Sequence, residues 1–289
     1  MKKLLVLFLF FPLFSFSQQD LSEVKVKTTE LAPGLHRIFI GDGVAMLAYF
    51  SEEEVLLVDA AYERTSEKVM DKLKELGGTR IKFLINTHYH GDHTGGNKAF
   101  GRHVPIISHH YVKDLLSKER GEGEQKQEAF PEYARPDLTF SDSLAITFNG
   151  QTLSLIHLPG GHTAGDILVY FPESRVLSMG DLLFADKFPY VDIPHGGNAL
   201  QYIEHVKWIT ETFPEDIKII GGHGPVYNPD QLREYYNTLE KTVQVISQAK
   251  KDGQSLEQMK ESQILKDWKE FGTGFISEGF WIETVYNSL

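Results

Sequence analysis

The chain has 289 residues, 40 acidic side chains against 29 basic ones, and a formal net charge of −11. Such an acidic surface repels phosphate backbones and excludes nucleic acid as an expected partner, leaving a small molecule as the expected substrate. There are no cysteines, so disulfides and thiolate ligands are excluded and any metal centre must be built from His, Asp and Glu.

Taken in chain order, Met1-Lys2-Lys3 is a short basic start, Leu4 to Phe14 an apolar run, and Ser15-Phe16-Ser17 a small-x-small site. That is the layout of a secretory signal peptide, and it predicts cleavage near Ser17. The run is too short to span a bilayer, which takes about 20 apolar residues. The expectation is therefore a signal peptide over 1–17, one domain over 18–289, no stable membrane insertion, and a periplasmic or secreted location.

The body opens with strand-like runs at Leu35–Gly41, Val44–Phe50 and Glu54–Ala60, apolar stretches bounded by glycine or charge. A helix over Glu63–Leu76 follows, with Val69, Met70, Leu73 and Leu76 on one face and Gly77-Gly78 behind it. Ile81–Asn86 reads as a buried strand. Ser117–Asp137, "SKERGEGEQKQEAFPEYARPD", is charged and punctuated by Gly and Pro; it reads as a surface excursion with the composition of a flap. Strand patterns resume in "LAITFNG", "TLSLIHL", "DILVYF" and "RVLSM". Then come a helix over Ala199–Thr212, a strand at Ile217–Ile220, a helix capped by Asn228-Pro229, and a last helix with Ser255 and Gln258 as a capping box. Two successive sets of strands, each followed by helices, fit a two-sheet core covered by helices on both outer faces.

The chemistry concentrates in "THYHGDHTGG", Thr87–Gly96, which places His88, His90, Asp92 and His93 within six residues after a strand. Imidazoles serve chiefly as acid–base groups or metal ligands, and a cation is the simplest way to hold so many together. Three more residues follow strand-like runs, each preceded by glycine: His162 in "LPGGHTAGD", Asp181 in "SMGD" and His223 in "IIGGHGP". Alternate residues of an extended segment share a side, so His88 and His90 clamp one ion with His162. Asp92 and His93 turn toward a second with His223, and Asp181 bridges the two. Nitrogen and oxygen donors suit two zinc ions, with iron and manganese as alternatives. His109-His110 reads as a surface or capping pair, His157 as a satisfied strand histidine, and Phe184, Phe188 and "GFWIETVY" as core. Tyr190 and His195 are candidates for the substrate mouth.

These motifs together resemble the metallo-β-lactamase superfamily. All seven ligand positions match in order, and the alternation of elements covers nearly all of 18–289. The resemblance implies an α/β protein with a four-layer αββα sandwich, metals at one edge between the sheets, and the ligand sets just described. Within the superfamily, an aspartate at 181 resembles glyoxalase II and the acyl-homoserine lactonases, whereas class B β-lactamases usually carry Cys or Ser there. The expected activity is zinc-dependent hydrolysis of a lactone, ester, thioester or β-lactam by a water shared between the metals, with Asp92 and Asp181 as catalytic residues. The alternatives are a β-lactamase proper, a phosphodiesterase or iron-dependent oxygenase of the same fold, and a metal-binding protein without turnover.

Overall fold

The computed structural model describes residues 24–41, 43–121, 123 and 126–289; the expected signal peptide over 1–17 lies outside them. The first sheet begins as an antiparallel meander of β1 (Val26–Ala32), β2 (Leu35–Ile40), β3 (Val44–Ser51) and β4 (Glu54–Val58). Helix α1 (Ser66–Glu75) then crosses over to β5 (Arg80–Ile85), and β6 (Ile106–His109) and β7 (Leu138–Phe140) extend the same sheet in parallel. Between β5 and β7 lie three short helices, α2 (Gly91–Thr94), α3 (Asn97–Phe100) and α4 (His110–Leu116).

The second sheet holds β8 (Ser143–Phe148), β9 (Gln151–His157), β10 (Ile167–Phe171), β11 (Val176–Phe184), β12 (Lys218–His223) and β13 (Val226–Tyr227) in reverse spatial order. Its parallel pair, β11 and β12, is joined through α5 (Ala199–Thr212). The chain closes with α6 (Pro229–Lys251), α7 (Leu256–Glu261) and α8 (Glu278–Ser288).

The continuous apolar run of β3 has a direct cause. Side chains alternate along a strand, and both faces of this sheet are covered. Leu47 and Tyr49 point between the sheets, against Leu153, Leu155, Val169 and Phe171. Met46 and Ala48 point outward, into the layer formed with Val69 and Leu73 of α1. Behind the second sheet, Leu177 and Met179 meet Val206 and Ile209 of α5, Leu239 and Ile246 of α6 and Trp281 of α8. The result is the expected αββα sandwich. Among the described residues no helix is long and apolar enough to cross a membrane.

Local signals in the sequence hold at both caps: Asn228 caps α6 and, beyond what was expected, completes a capping box with Gln231, and the expected box of Ser255 with Gln258 forms. The first predicted helix starts late, because Glu63–Thr65 forms a 3-10 turn ahead of α1. Strands β1 and β7 escape the pattern: β1 carries polar residues on its exposed face, and β7 is only 3 residues long. The Ser117–Asp137 excursion, expected at the surface, is in part packed down. Phe130 and Ala134 are buried, Asn97 donates to the Ala134 carbonyl at 3.2 Å, and Asp137 accepts from the Ile106 N–H at 2.9 Å. Its C-terminal half is thereby fastened to α3 and β6.

Candidate metal centre

All seven predicted ligands converge at one rim of the sandwich. His88, His90, His162 and Asp181 form one group, and Asp92, His93 and His223 a second, with the donor atoms of each group within 4.8 Å of one another. The opening motif leaves β5 through bends at Thr87–Tyr89, not as the extended segment expected, and after an extended His90 it coils into α2, which carries Asp92 and His93. His162 sits in the loop between β9 and β10, and His223 ends β12.

Asp181 corrects the expectation of a ligand beyond a strand end, because it lies inside β11. Its pairing with β12 is irregular on both sides of Gly180, whose φ is +50°. Such an irregularity re-aims the following side chain without ending the strand. The carboxylate thereby reaches both groups: Oδ2 lies 3.7 Å from His88 Nε2, 3.5 Å from His162 Nε2 and 3.4 Å from His223 Nε2, and Oδ1 lies 3.1 Å from His93 Nε2. Asp92 Oδ2 lies 3.3 Å from His223 Nε2 and 3.6 Å from His93 Nε2.

The outer nitrogens of the five imidazoles show why this cluster wants cations. His88 Nδ1 lies 3.1 Å from Thr87 Oγ1, whose own proton goes to Asp59. His90 Nε2 donates to Asp192 at 3.0 Å, His93 Nδ1 to Asp59 at 2.8 Å, His162 Nδ1 to the Tyr190 carbonyl at 2.7 Å, and His223 Nδ1 to the Gly43 carbonyl at 2.7 Å. With each proton drawn outward, each inward nitrogen presents a lone pair. His90 Nδ1 and His162 Nε2 face one another at 2.8 Å, and two lone pairs at that distance repel unless a cation lies between them. His88 Nε2, His93 Nε2 and Asp181 Oδ1 are buried without a hydrogen-bond partner, an arrangement that costs stability in a protein interior. The residues present fit a pair of divalent cations.

The electrostatics agree. Burial, reinforced by the other histidines, holds His88 well below its ordinary range and His162 at about 4, so these rings are neutral donors. Burial opposes charge on His93 and His223 too. Yet Asp181, aided by Asp92, outweighs it, raising His93 well above its ordinary value and His223 to about 10. The second group thus demands positive charge. Space is equally specific: a Cβ on Gly222 would stand 2.0 Å from Asp181 Oδ1 and 2.9 Å from His93 Cε1, so only glycine lets β12 pass beneath the ligands.

Tyr190 and His195 both lie at this rim. The Tyr190 ring is 5.6 Å from that of His90 and 5.8 Å from that of His162. His195 reaches the centre through Asp192, to which its Nδ1 donates at 2.9 Å. Phe184, expected in the core, is buried but stacks on His223 at 4.9 Å and so walls the site. Phe188 is core, stacked against Trp281. His109 caps α4 by accepting from the Tyr111 N–H, and it is buried, not on the surface. Sequence reasoning missed Asp59, Asp192, Thr87 and Tyr89, whose hydroxyl donates to Asp192. A signal existed for Asp59: like the ligands, it is a polar residue at the end of an apolar strand.

A sandwich that gathers five histidines and two aspartates at one rim defines a class, the αββα proteins with a candidate metal site between their sheets. Residues 40–244 match the family model of the metallo-beta-lactamase superfamily, and the chain belongs to that superfamily of metallo-hydrolases. It is 33% identical over 120 residues to a hydroxyacylglutathione hydrolase of Synechococcus sp. (strain JA-3-3Ab), covering 42% of this chain and 41% of that one. It is 22% identical over 204 residues to the metallo-beta-lactamase type 2 of Bacteroides fragilis, covering 70% and 74%. An uncharacterized protein of Aquifex aeolicus is 29% identical over 172 residues, covering 59% and 78%. Among solved structures, a metallo-beta-lactamase from Pontibacter korlensis superimposes with a TM-score of 0.60 at 21% identity, over 75% of this chain and 99% of that one, a likeness of fold.

Proposed function

We propose that the protein is an exported, two-zinc hydrolase of a carboxylic derivative: a lactone, ester, thioester or β-lactam. The observation that carries this reading is the position of Asp181, whose two oxygens reach both ligand groups. A carboxylate placed between two cations keeps them adjacent with coordination positions open, unlike the closed cage of a structural site. When bound, such a pair supplies an acidified water at neutral pH and Lewis-acid stabilisation of the carbonyl oxygen.

The chain's own residues do the rest. His88, His90 and His162 would hold one ion, and Asp92, His93 and His223 the other. Asp59, Thr87, Asp192 and two backbone carbonyls fix the imidazole tautomers, so no ring must reorient during the reaction. Asp92, beside His223 and partly exposed, is placed to orient the attacking water. The hydroxyacylglutathione hydrolase relatives make a thioester a reasonable substrate to test. Against glutathione itself, Lys187, the basic residue following β11, is engaged by Thr273 Oγ1 at 2.6 Å and the Glu270 carbonyl at 3.2 Å.

The test is kcat/KM of zinc-reconstituted protein on a cephalosporin, an acyl-homoserine lactone, a glutathione thioester and a phosphodiester, each with and without chelator. Chelator-sensitive turnover of one of the carboxylic derivatives is expected. Zinc uptake with no turnover on any of them, or turnover confined to the phosphodiester, would reject the reading. Export is tested by N-terminal sequencing of the protein from a secreting host, with Gln18 expected first.

A further inference from the structure

Phe275 is the most exposed large apolar side chain among the described residues, at 73%. Its neighbours are firmly held. Ile276 is buried, and Ser277 caps α8 by accepting the Phe280 N–H at 3.2 Å. The Phe188 N–H donates to the Phe271 carbonyl at 3.0 Å, and Lys187 reaches across to Thr273 and Glu270. Residues 270–277 are thus pinned onto the segment that leaves β11, the strand carrying Asp181.

That placement gives the phenyl ring a definite neighbour. It meets Tyr190 edge-on with centroids 6.0 Å apart, an attractive geometry for aromatic pairs. Tyr190 in turn stands against His90 and His162, on the side of the first ligand group. Phe280 supports Tyr190 from behind, 6.2 Å away. A row of apolar surface therefore runs from solvent to the metal rim, and Lys187 of this segment is turned toward the Thr273 hydroxyl and the Glu270 carbonyl. Exposed apolar surface continuous with a polar reaction centre is how binding sites recognise the apolar part of a small ligand.

We propose that Phe275 and Tyr190 form an aromatic lip that receives an apolar, preferably aromatic, substituent on the carbonyl side of the substrate. The hydrolase reading supplies only the location of the carbonyl; the lip's preference for a ring stands apart from it. Two carboxylates that differ by a phenyl group test it: phenylacetate and acetate, titrated calorimetrically into the zinc-loaded protein. Phenylacetate should bind at least about 10-fold more tightly, a ratio worth about 1.4 kcal/mol. Phe275→Ser should remove that advantage by weakening phenylacetate alone, and Phe275→Tyr should keep it. Equal or undetectable binding of phenylacetate, or an advantage that survives Phe275→Ser, overturns the proposal. The exposed position makes a folding defect easy to recognise as a shift in Tm. Ester hydrolysis by the same preparations separates the two readings. A binding preference without chelator-sensitive turnover removes the hydrolase and leaves the lip; turnover without the preference does the reverse.

Discussion

Asp59 Oδ2 lies 2.8 Å from Nδ1 of His93, so a residue that the motif did not include decides how that ligand is presented. The same carboxylate accepts the Thr87 N–H at 2.8 Å and the Thr87 hydroxyl, and Thr87 in turn orients His88. One buried aspartate therefore steers a ring in each ligand group. Its backbone is left-handed, with φ of +66°, a conformation that Asn tolerates and most residues do not. Asp59→Asn should leave the fold intact and lower zinc affinity about 10- to 100-fold, the usual cost of losing such a partner. Competition with a chromophoric chelator measures this; unchanged affinity would show that Asp59 serves the backbone only.

Asp192 is the corresponding partner of His90, and it also accepts from Tyr89 and His195. Three donors on one side chain hold its carboxyl far below the usual carboxylate range despite burial. Asp192→Asn retains a single acceptor oxygen for them. We expect kcat/KM to fall about 10-fold or more, as partners behind ligands typically require, with less effect than His90→Ala. A variant as active as the native enzyme would mean that His90 needs no such orientation.

Gly222→Ala probes the clearance beneath the ligands. The added methyl group meets Asp181 and His93, and neither can retreat into a packed rim. Overpacking costs about 1–3 kcal/mol, here taken at the place where the two ion sites meet. The expected outcome is a folded protein with a lowered Tm and fewer than two zinc ions per chain by elemental analysis. Two tightly held ions would show that the rim yields more easily than its geometry suggests.

The stacked pair His109 and His157, with centroids 3.6 Å apart, predicts a pH dependence away from the metals. Burial, then the neighbouring His157, lowers His109 to about 4, and burial lowers His157 as well. Both rings therefore bind fewer protons folded than unfolded. Stability from this pair is complete above the unfolded value of about 6.5 and is lost as pH falls toward 4. Protonated His109 could no longer accept the Tyr111 N–H. The Tm of the native protein should decline over that window, and His157→Gln should make the decline shallower by a few degrees. Parallel curves would rule the pair out.

The seven candidate donors and the two-sheet layering were legible in the chain, the donors as polar residues following apolar runs and the full αββα sandwich through the family resemblance of those motifs. Part of this is local: His88 to His93 lie within six residues, and the unbroken apolar run of β3 fits a strand covered on both faces. Caps such as Asn228 with Gln231 are likewise written within four residues. Tertiary structure alone decided the outer partners and the rim. Asp59 lies 34 residues from His93 in the chain, and Asp192 lies 102 from His90; no periodicity links them. Phe184 and Phe275 show the same limit. Hydrophobicity places a phenylalanine on apolar surface, but only the packing of distant segments decides whether that surface is core, like Phe188 under Trp281, or the wall of a reaction centre.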